Sequence, residues 1–162
     1  MTPTAGGGVR ASAAGSDDRV LVPLDRAEAV ALLEATEVGR LVFTVRALPE
    51  VFPVNFRVFE GSVVVRVSGT SRAVAGAVDA VVAFEVDQID AASRTGWSVT
   101  VVGHTSEILD RAERERVLAL PLVPWAGGVR DRLIRIPLDR VTGRRLAVAE
   151  PGGMERITPP LR

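Results

Sequence analysis

The sequence predicts a mainly β fold, a small and largely antiparallel barrel with short peripheral helices, and three observations carry that reading. Apolar residues recur with period two through the middle of the chain, first in Leu41, Phe43 and Val45 and then in Phe52, Val54, Phe56 and Val58. Six strand-like runs are joined by tight turns or by short helical stretches. No regular strand–helix–strand alternation of the kind that builds a parallel sheet is present. With 162 residues the chain is one domain of ordinary size, long enough to bury a sizeable core.

Residues 1–19 are mostly Gly, Ala, Ser and Thr and have little to bury, so they read as a disordered arm. The folded domain is expected over residues 20–147, with 148–162 as a Pro- and Gly-rich tail. Asp25 with Glu28 three places on forms a capping-box pattern, and Ala29, Val30, Leu32 and Leu33 supply one apolar face, which predicts a helix over 26–37 ending near Gly39. Two period-two strands follow, separated by a Leu-Pro-Glu turn. Glu60-Gly61 turns the second into Ser62–Ser68, and the three strands make an antiparallel meander.

The stretch Ser62–Val78 has anion-binding character. A β-branched strand ends at Gly69, Thr70 or Ser71 caps the helix that follows to Val78, and Arg72 lies in its first turn. A helix start with open N–H groups, two hydroxyls and a guanidinium suits phosphate. An ordinary Ser or Thr cap beside a solvated Arg fits the same residues. Val81–Asp87 is a nearly continuous apolar run, which predicts a strand buried on both faces. Trp97–Leu109 reads as the longest strand, Asp110–Leu118 as a charged helix, and Leu133–Val141 as one last alternating strand.

Composition excludes several functions. The 20 basic and 20 acidic residues cancel, so no overall field recruits nucleic acid or a membrane surface. Every basic residue is Arg, and the absence of Cys excludes disulfides, thiolate nucleophiles and Cys-ligated metals. One His leaves no room for a His-clustered metal site, and a Ser-His-Asp arrangement would require His104 itself. No apolar run approaches the ~18 residues of a membrane helix, and the start lacks a signal-peptide core, so cytoplasmic placement is the default expectation.

Six strings, in order, resemble the flavin-binding split-barrel superfamily, specifically the pyridoxamine phosphate oxidase-like proteins. They are Gly39-Arg40-Leu41, Pro53-Val54-Asn55-Phe56, Arg66 with Gly69-Thr70-Ser71-Arg72, Val82 to Asp87, Gly96-Trp97-Ser98-Val99 with Val102-Gly103, and Thr142-Gly143-Arg144-Arg145. The resemblance covers about Leu24 to Leu146. It implies a six-stranded antiparallel split β-barrel, a homodimer, and FMN held at the dimer interface, with a deazaflavin as the alternative cofactor. The phosphate would fall to Arg66, Thr70, Ser71 and Arg72. The ring would lie near Asn55, approached by Trp97 and Ser98.

No catalytic side chain and no metal is implied, because hydride chemistry belongs to the flavin and the protein positions it. The substrate would be a small molecule, with reducing equivalents from a nicotinamide donor. Two departures stand out. Ala73 follows Arg72 where true pyridoxamine phosphate oxidases carry a second basic residue, which leaves Arg57 as a substitute, and nothing after Leu146 resembles their longer C-terminal segment. The expected function is an FMN-dependent oxidoreductase acting on a substrate other than pyridoxamine phosphate, and the alternative is a non-catalytic flavin- or deazaflavin-binding module.

Other residues carry two readings each. Trp97 either covers the flavin or anchors the core, and Trp125 either lines the substrate side or plugs the barrel end. His104 is a proton donor or a surface histidine. Arg144-Arg145 is an anion clamp or a solvated pair, and Glu85 with Asp87 suggests a buried pairing with Arg.

Overall fold

The structure is a computed structural model that describes residues 19–70, 76–122, 125 and 129–149. Its elements run β1 (Arg19–Leu24), α1 (Arg26–Glu34), β2 (Val38–Val45), β3 (Leu48–Phe59), β4 (Ser62–Val67), β5 (Val81–Asp90), β6 (Thr95–His104), β7 (Ser106–Glu107), α2 (Arg111–Leu118), β8 (Arg132–Pro137) and β9 (Arg140–Val148). All strand pairs are antiparallel, in the order β1-β9-β6-β5-β2-β3-β4-β8-β7. The class is the expected one, with nine strands where six were read.

Strand β3 joins two layers. Its first part, Leu48–Asn55, pairs with β2, and its last part, Phe56–Phe59, pairs with β4. The layers fold toward each other around Leu41, Phe43, Phe56, Phe84, Val99, Ile134 and Ile136, all buried. Phe56 and Phe84 meet edge to face with centroids 4.7 Å apart. Where β6 crosses β8, Gly103 allows close approach, since a Cβ there would sit 2.9 Å from the Pro137 carbonyl oxygen. The arrangement is a split barrel.

The capping box is present in full: Glu28 N–H donates to Asp25 Oδ1 at 2.8 Å and Asp25 N–H to Glu28 Oε2 at 3.1 Å. Helix α1 ends at Glu34 rather than Glu37, because Val38 already pairs with Asn55. Helix α2 is capped by Asp110, whose Oδ1 accepts from Glu113 N–H at 2.8 Å.

Several expectations are corrected. The strand buried on both faces is β4, not β5. Val63, Val65 and Val67 face the main core, while Val64 packs with Val117 of α2, Ile108 and Leu133 in a second one. On β5 only Val82, Phe84 and Val86 are buried, and its other face carries Glu85 and Asp87 toward Arg40 of β2. That pairing is half exposed rather than buried. The Asp87 hydrogen bond holds the Arg40 guanidinium above its ordinary pKa.

The longest strand is β3, with 12 residues; the stretch read as Trp97–Leu109 stops at His104, where buried Thr105 turns inward. The run Leu133–Val141 is two strands, β8 and β9, that a turn at Leu138-Asp139 joins and that pair with different neighbours. Strand β9 extends into the expected tail at Val148 and lies between β1 and β6. Likewise Arg19, placed in the arm, opens β1 opposite Val148. Of the helix read over Ser71–Val78, Gly76 and Ala77 are helical and 71–75 lie outside the described residues, as do 1–18 and 150–162. Among the described residues no helix is long and apolar enough to cross a membrane.

Candidate functional site

The tight turn at Glu60-Gly61 sets the register Phe59↔Ser62 through Phe56↔Val65. Asn55 of β3 and Arg66 of β4 each lie one residue beyond the last of these pairs, and both line one cavity. This is also the point where β3 leaves β2, since Asn55 is the last of its residues in that ladder, opposite Val38. A cavity of about 210 Å³ opens there, lined by Val38, Pro53, Val54, Asn55, Arg66, Trp125 and Arg130. None of these lining residues is acidic.

Both polar side chains are held from one side. The Trp125 backbone N–H donates to Asn55 Oδ1 at 2.9 Å, and Arg66 Nε–H donates to the Arg130 carbonyl at 2.6 Å. A guanidinium has five N–H groups, so Arg66 keeps others for an anion. A second cavity of about 240 Å³ adjoins the first through Asn55 and Trp125, and Glu37, Arg57 and Leu122 complete it. Arg57 pairs with Glu37 at 2.7 Å and donates to the Phe56 carbonyl at 3.0 Å. It is therefore engaged by a carboxylate rather than held open as a substitute phosphate ligand.

The strand-to-helix corner is partly occupied by the protein itself. Gly69 N–H donates to Asp131 Oδ1 at 2.9 Å, and the Ser68 and Thr70 hydroxyls lie 3.1 Å apart. Asp131 is held in turn by Arg114, whose terminal nitrogen reaches the Asp131 carbonyl at 3.0 Å. Ser71 and Arg72 lie outside the described residues.

Trp97 and Ser98 belong to a different region of the chain. Trp97 stands between Gln88 and Arg145 in the β5-β6-β9 ladder and packs against the main core. It also borders a cavity of about 360 Å³ with Gln88, Asp90, Thr95 and Arg145. Ser98, flanked by Asp87 and Arg144, faces a cavity of about 310 Å³ that Leu21, Ile89 and Leu146 complete. Within one chain, then, Asn55 and Arg66 share a cavity and Trp97 and Ser98 do not join them.

Arg144 and Arg145 are exposed on β9, each lining one of these cavities, so the pair is part of a sheet rather than a tail. His104 sits exposed at the end of β6 with Asp79 at 3.7 Å, and lines none of these cavities. Asp90 turns the β5–β6 connection, accepting from Ala92 N–H at 2.9 Å and from the Ser93 hydroxyl at 2.7 Å. The Ser93 hydrogen bonds hold its carboxyl below the ordinary value. Glu37, Arg130 and Asp131 were missed by the sequence reading. Each acts through a partner distant in sequence, and no local pattern marks it.

The two layers sharing β3, with a donor-lined cavity at their junction, define a split barrel with a candidate binding site for an acceptor-rich ligand. A family model described as pyridoxamine 5'-phosphate oxidase matches residues 25–145, and the chain belongs to that family. It is 42% identical over 133 residues to an uncharacterized protein of Mycobacterium tuberculosis, covering 79% of this chain and 87% of that one. Among solved structures, a FAD binding protein from Mycobacterium smegmatis matches with TM-score 0.67 at 31% identity, over 76% of this chain and 97% of the other. A conserved protein of unknown function from Corynebacterium diphtheriae matches with TM-score 0.67 at 29% identity, over 78% and 98% respectively.

Proposed function

We propose that this protein is a flavin-binding oxidoreductase that takes FMN and acts on a small molecule other than pyridoxamine phosphate. The observation that carries the reading is the placement of Asn55 and Arg66 on one cavity with no acidic lining residue. These residues suit the cofactor: Arg66 offers a guanidinium to its phosphate, Asn55 an amide to its ring, and Val38, Pro53 and Val54 an apolar wall. The flavin binding of the Mycobacterium smegmatis relative supports the same reading. A bound flavin would supply hydride transfer, with a nicotinamide donor as the source of reducing equivalents.

The chain's own part is to position. Arg66, fixed through its Nε, presents its remaining N–H groups to an anion, and Ser68 and Thr70 stand beside it at the corner. The cavities at Asn55 and at Trp97 are separate in one chain and each is small for a dinucleotide-sized ligand. A homodimer would bring the Trp97–Ser98 surface of one copy to the Asn55–Arg66 surface of another. Apolar side chains around the Ser98 cavity, Leu21, Ile89 and Leu146, are exposed as such an interface requires.

The test is a titration with FMN followed by visible absorption. Wild-type protein acquires flavin bands that co-elute with it on gel filtration. Arg66→Ala weakens FMN by about 1.5–3 kcal/mol, roughly tenfold or more, through loss of a charge-assisted contact. Unchanged affinity places the phosphate elsewhere. A non-catalytic flavin-binding module, with FMN or a deazaflavin, is the second reading, favoured by the absence of His104, the proton-donor candidate, from the linings of these cavities.

A further inference from the structure

We propose that Asn55 is a specificity residue that reads a ring carbonyl of the ligand with a hydrogen-bond donor whose orientation the Trp125 backbone dictates. The inference rests on the flavin reading above and goes beyond it to the group that Asn55 recognises.

A backbone N–H can only donate. Its partner on Asn55 must therefore be the side-chain oxygen, and Oδ1 lies 2.9 Å from the Trp125 nitrogen. An asparagine amide is planar, with its oxygen and nitrogen on opposite branches. With the oxygen turned to Trp125, the branch left facing a ligand is the N–H₂, and Asn55 presents a donor there. The ambiguity that usually attends an asparagine, acceptor or donor toward its ligand, is removed by a contact across 70 positions of sequence.

The surroundings assign the ligand group. Arg66 and Arg130 are the cations lining the cavity and suit the charged end, whereas Asn55 is neutral and adjoins Val38, Pro53 and Val54, which suit the face of a planar ring. A neutral donor beside an apolar wall selects a neutral acceptor, and the carbonyl oxygens of a flavin ring are acceptors of that kind. Ligands that present a hydrogen-bond donor, or no polar atom, at that position would leave the amide unmatched and be rejected.

The experiment compares wild type, Asn55→Asp and Asn55→Leu in titrations with FMN and with riboflavin, which lacks the phosphate, from pH 8 to pH 4.5. Asn55→Asp is isosteric and its carboxylate still accepts from Trp125 N–H, but it cannot donate until it is protonated. The expected result is a loss of about 10- to 100-fold for both ligands at pH 8 relative to wild type. That loss shrinks toward pH 4.5, where the carboxyl regains an O–H. Asn55→Leu shows a loss that pH does not change. A merely structural role for Asn55 would not produce the pH recovery.

Wild-type affinity in Asn55→Asp at pH 8, a loss without recovery, or a loss confined to FMN would each overturn the inference. Wild-type protein titrated with 2-thio- and 4-thio-FMN reads the same bond without any variant, because sulfur is the weaker acceptor. At least one should bind about tenfold less tightly, and equal affinity of both with FMN overturns the inference. Failure of wild-type protein to bind either FMN or riboflavin would overturn the flavin reading itself, and is distinct from every outcome in which wild type binds and the variants match it.

Discussion

Thr105 and Ala80 are hydrogen-bonded to each other in both directions. Ala80 N–H donates to Thr105 Oγ1 at 3.2 Å, and Thr105 N–H donates to the Ala80 carbonyl at 2.9 Å. The same hydroxyl reaches the Ala77 carbonyl, and Thr105 is fully buried. The bend after β6 is thereby tied to the segment that follows the strand-to-helix corner.

Thr105→Val keeps the shape and removes the hydroxyl, which leaves buried backbone groups without a partner. The expected cost is about 1–3 kcal/mol of unfolding free energy, with Thr105→Ser recovering most of it. Urea denaturation of the three proteins checks this, and a Val variant as stable as wild type would mean that the hydroxyl is dispensable.

Gly39 lies under an aromatic ring, and a Cβ there would be 2.2 Å from Phe84 Cζ and 2.8 Å from the Glu85 carbonyl oxygen. Gly39→Ala should destabilise by about 1–3 kcal/mol through overpacking. Gly61 offers the contrast: nothing lies within 4 Å, and only its φ of +71° resists a side chain. Gly61→Ala should cost about 1 kcal/mol and Gly61→Asn less. Thermal unfolding of these variants separates contact from backbone strain.

Ile89 is 67% exposed on the face that carries Ser98 and Arg144. If that face is where two copies meet, Ile89→Asp places a charge in the seam and yields monomer on gel filtration, with FMN binding weakened. A wild-type monomer, or a dimer indifferent to the substitution, removes this face from consideration.

Asp90 contributes to stability in a defined pH range. Its folded pKa lies below the ordinary value of 3.8, so the carboxylate bonded to Ser93 and Ala92 favours the folded state above that value. The contribution falls away as pH drops through the folded pKa. The difference in unfolding free energy between wild type and Asp90→Ala is therefore expected to be constant from pH 5 to 7 and to narrow below about pH 3.8. A difference unchanged at pH 2.5 would assign Asp90's role to packing.

Where structure follows from neighbours in sequence, the chain was readable. The Asp25–Glu28 capping box, the alternation through Phe56 and the Glu60-Gly61 turn all appear as predicted. Strand β9 escaped because Thr142-Gly143-Arg144-Arg145 is polar and is held in the sheet by strands on both sides, β1 and β6. The turn at Leu138-Asp139 contains no Gly, and apolar alternation ran straight through it. Double-sided burial was assigned to β5 from its composition, yet α2 covers β4, and nothing local to Val64 announces Val117.

The candidate site divided in the same way. Asn55 and Arg66 were named through the family resemblance, and both line one cavity. The main-chain contacts from Trp125 and Arg130 were not, because they come from 70 and 64 positions away.

The pairing of β1 with β9 couples the first strand of the sheet to the last. During synthesis β1 leaves the ribosome long before Arg140–Val148 exists, and β6 also lacks its second neighbour until then. A nascent chain of this protein therefore carries Val20, Leu21 and Val22 on an unpaired edge until Arg140–Val148 has been made, an interval in which chaperone binding competes with strand-to-strand association.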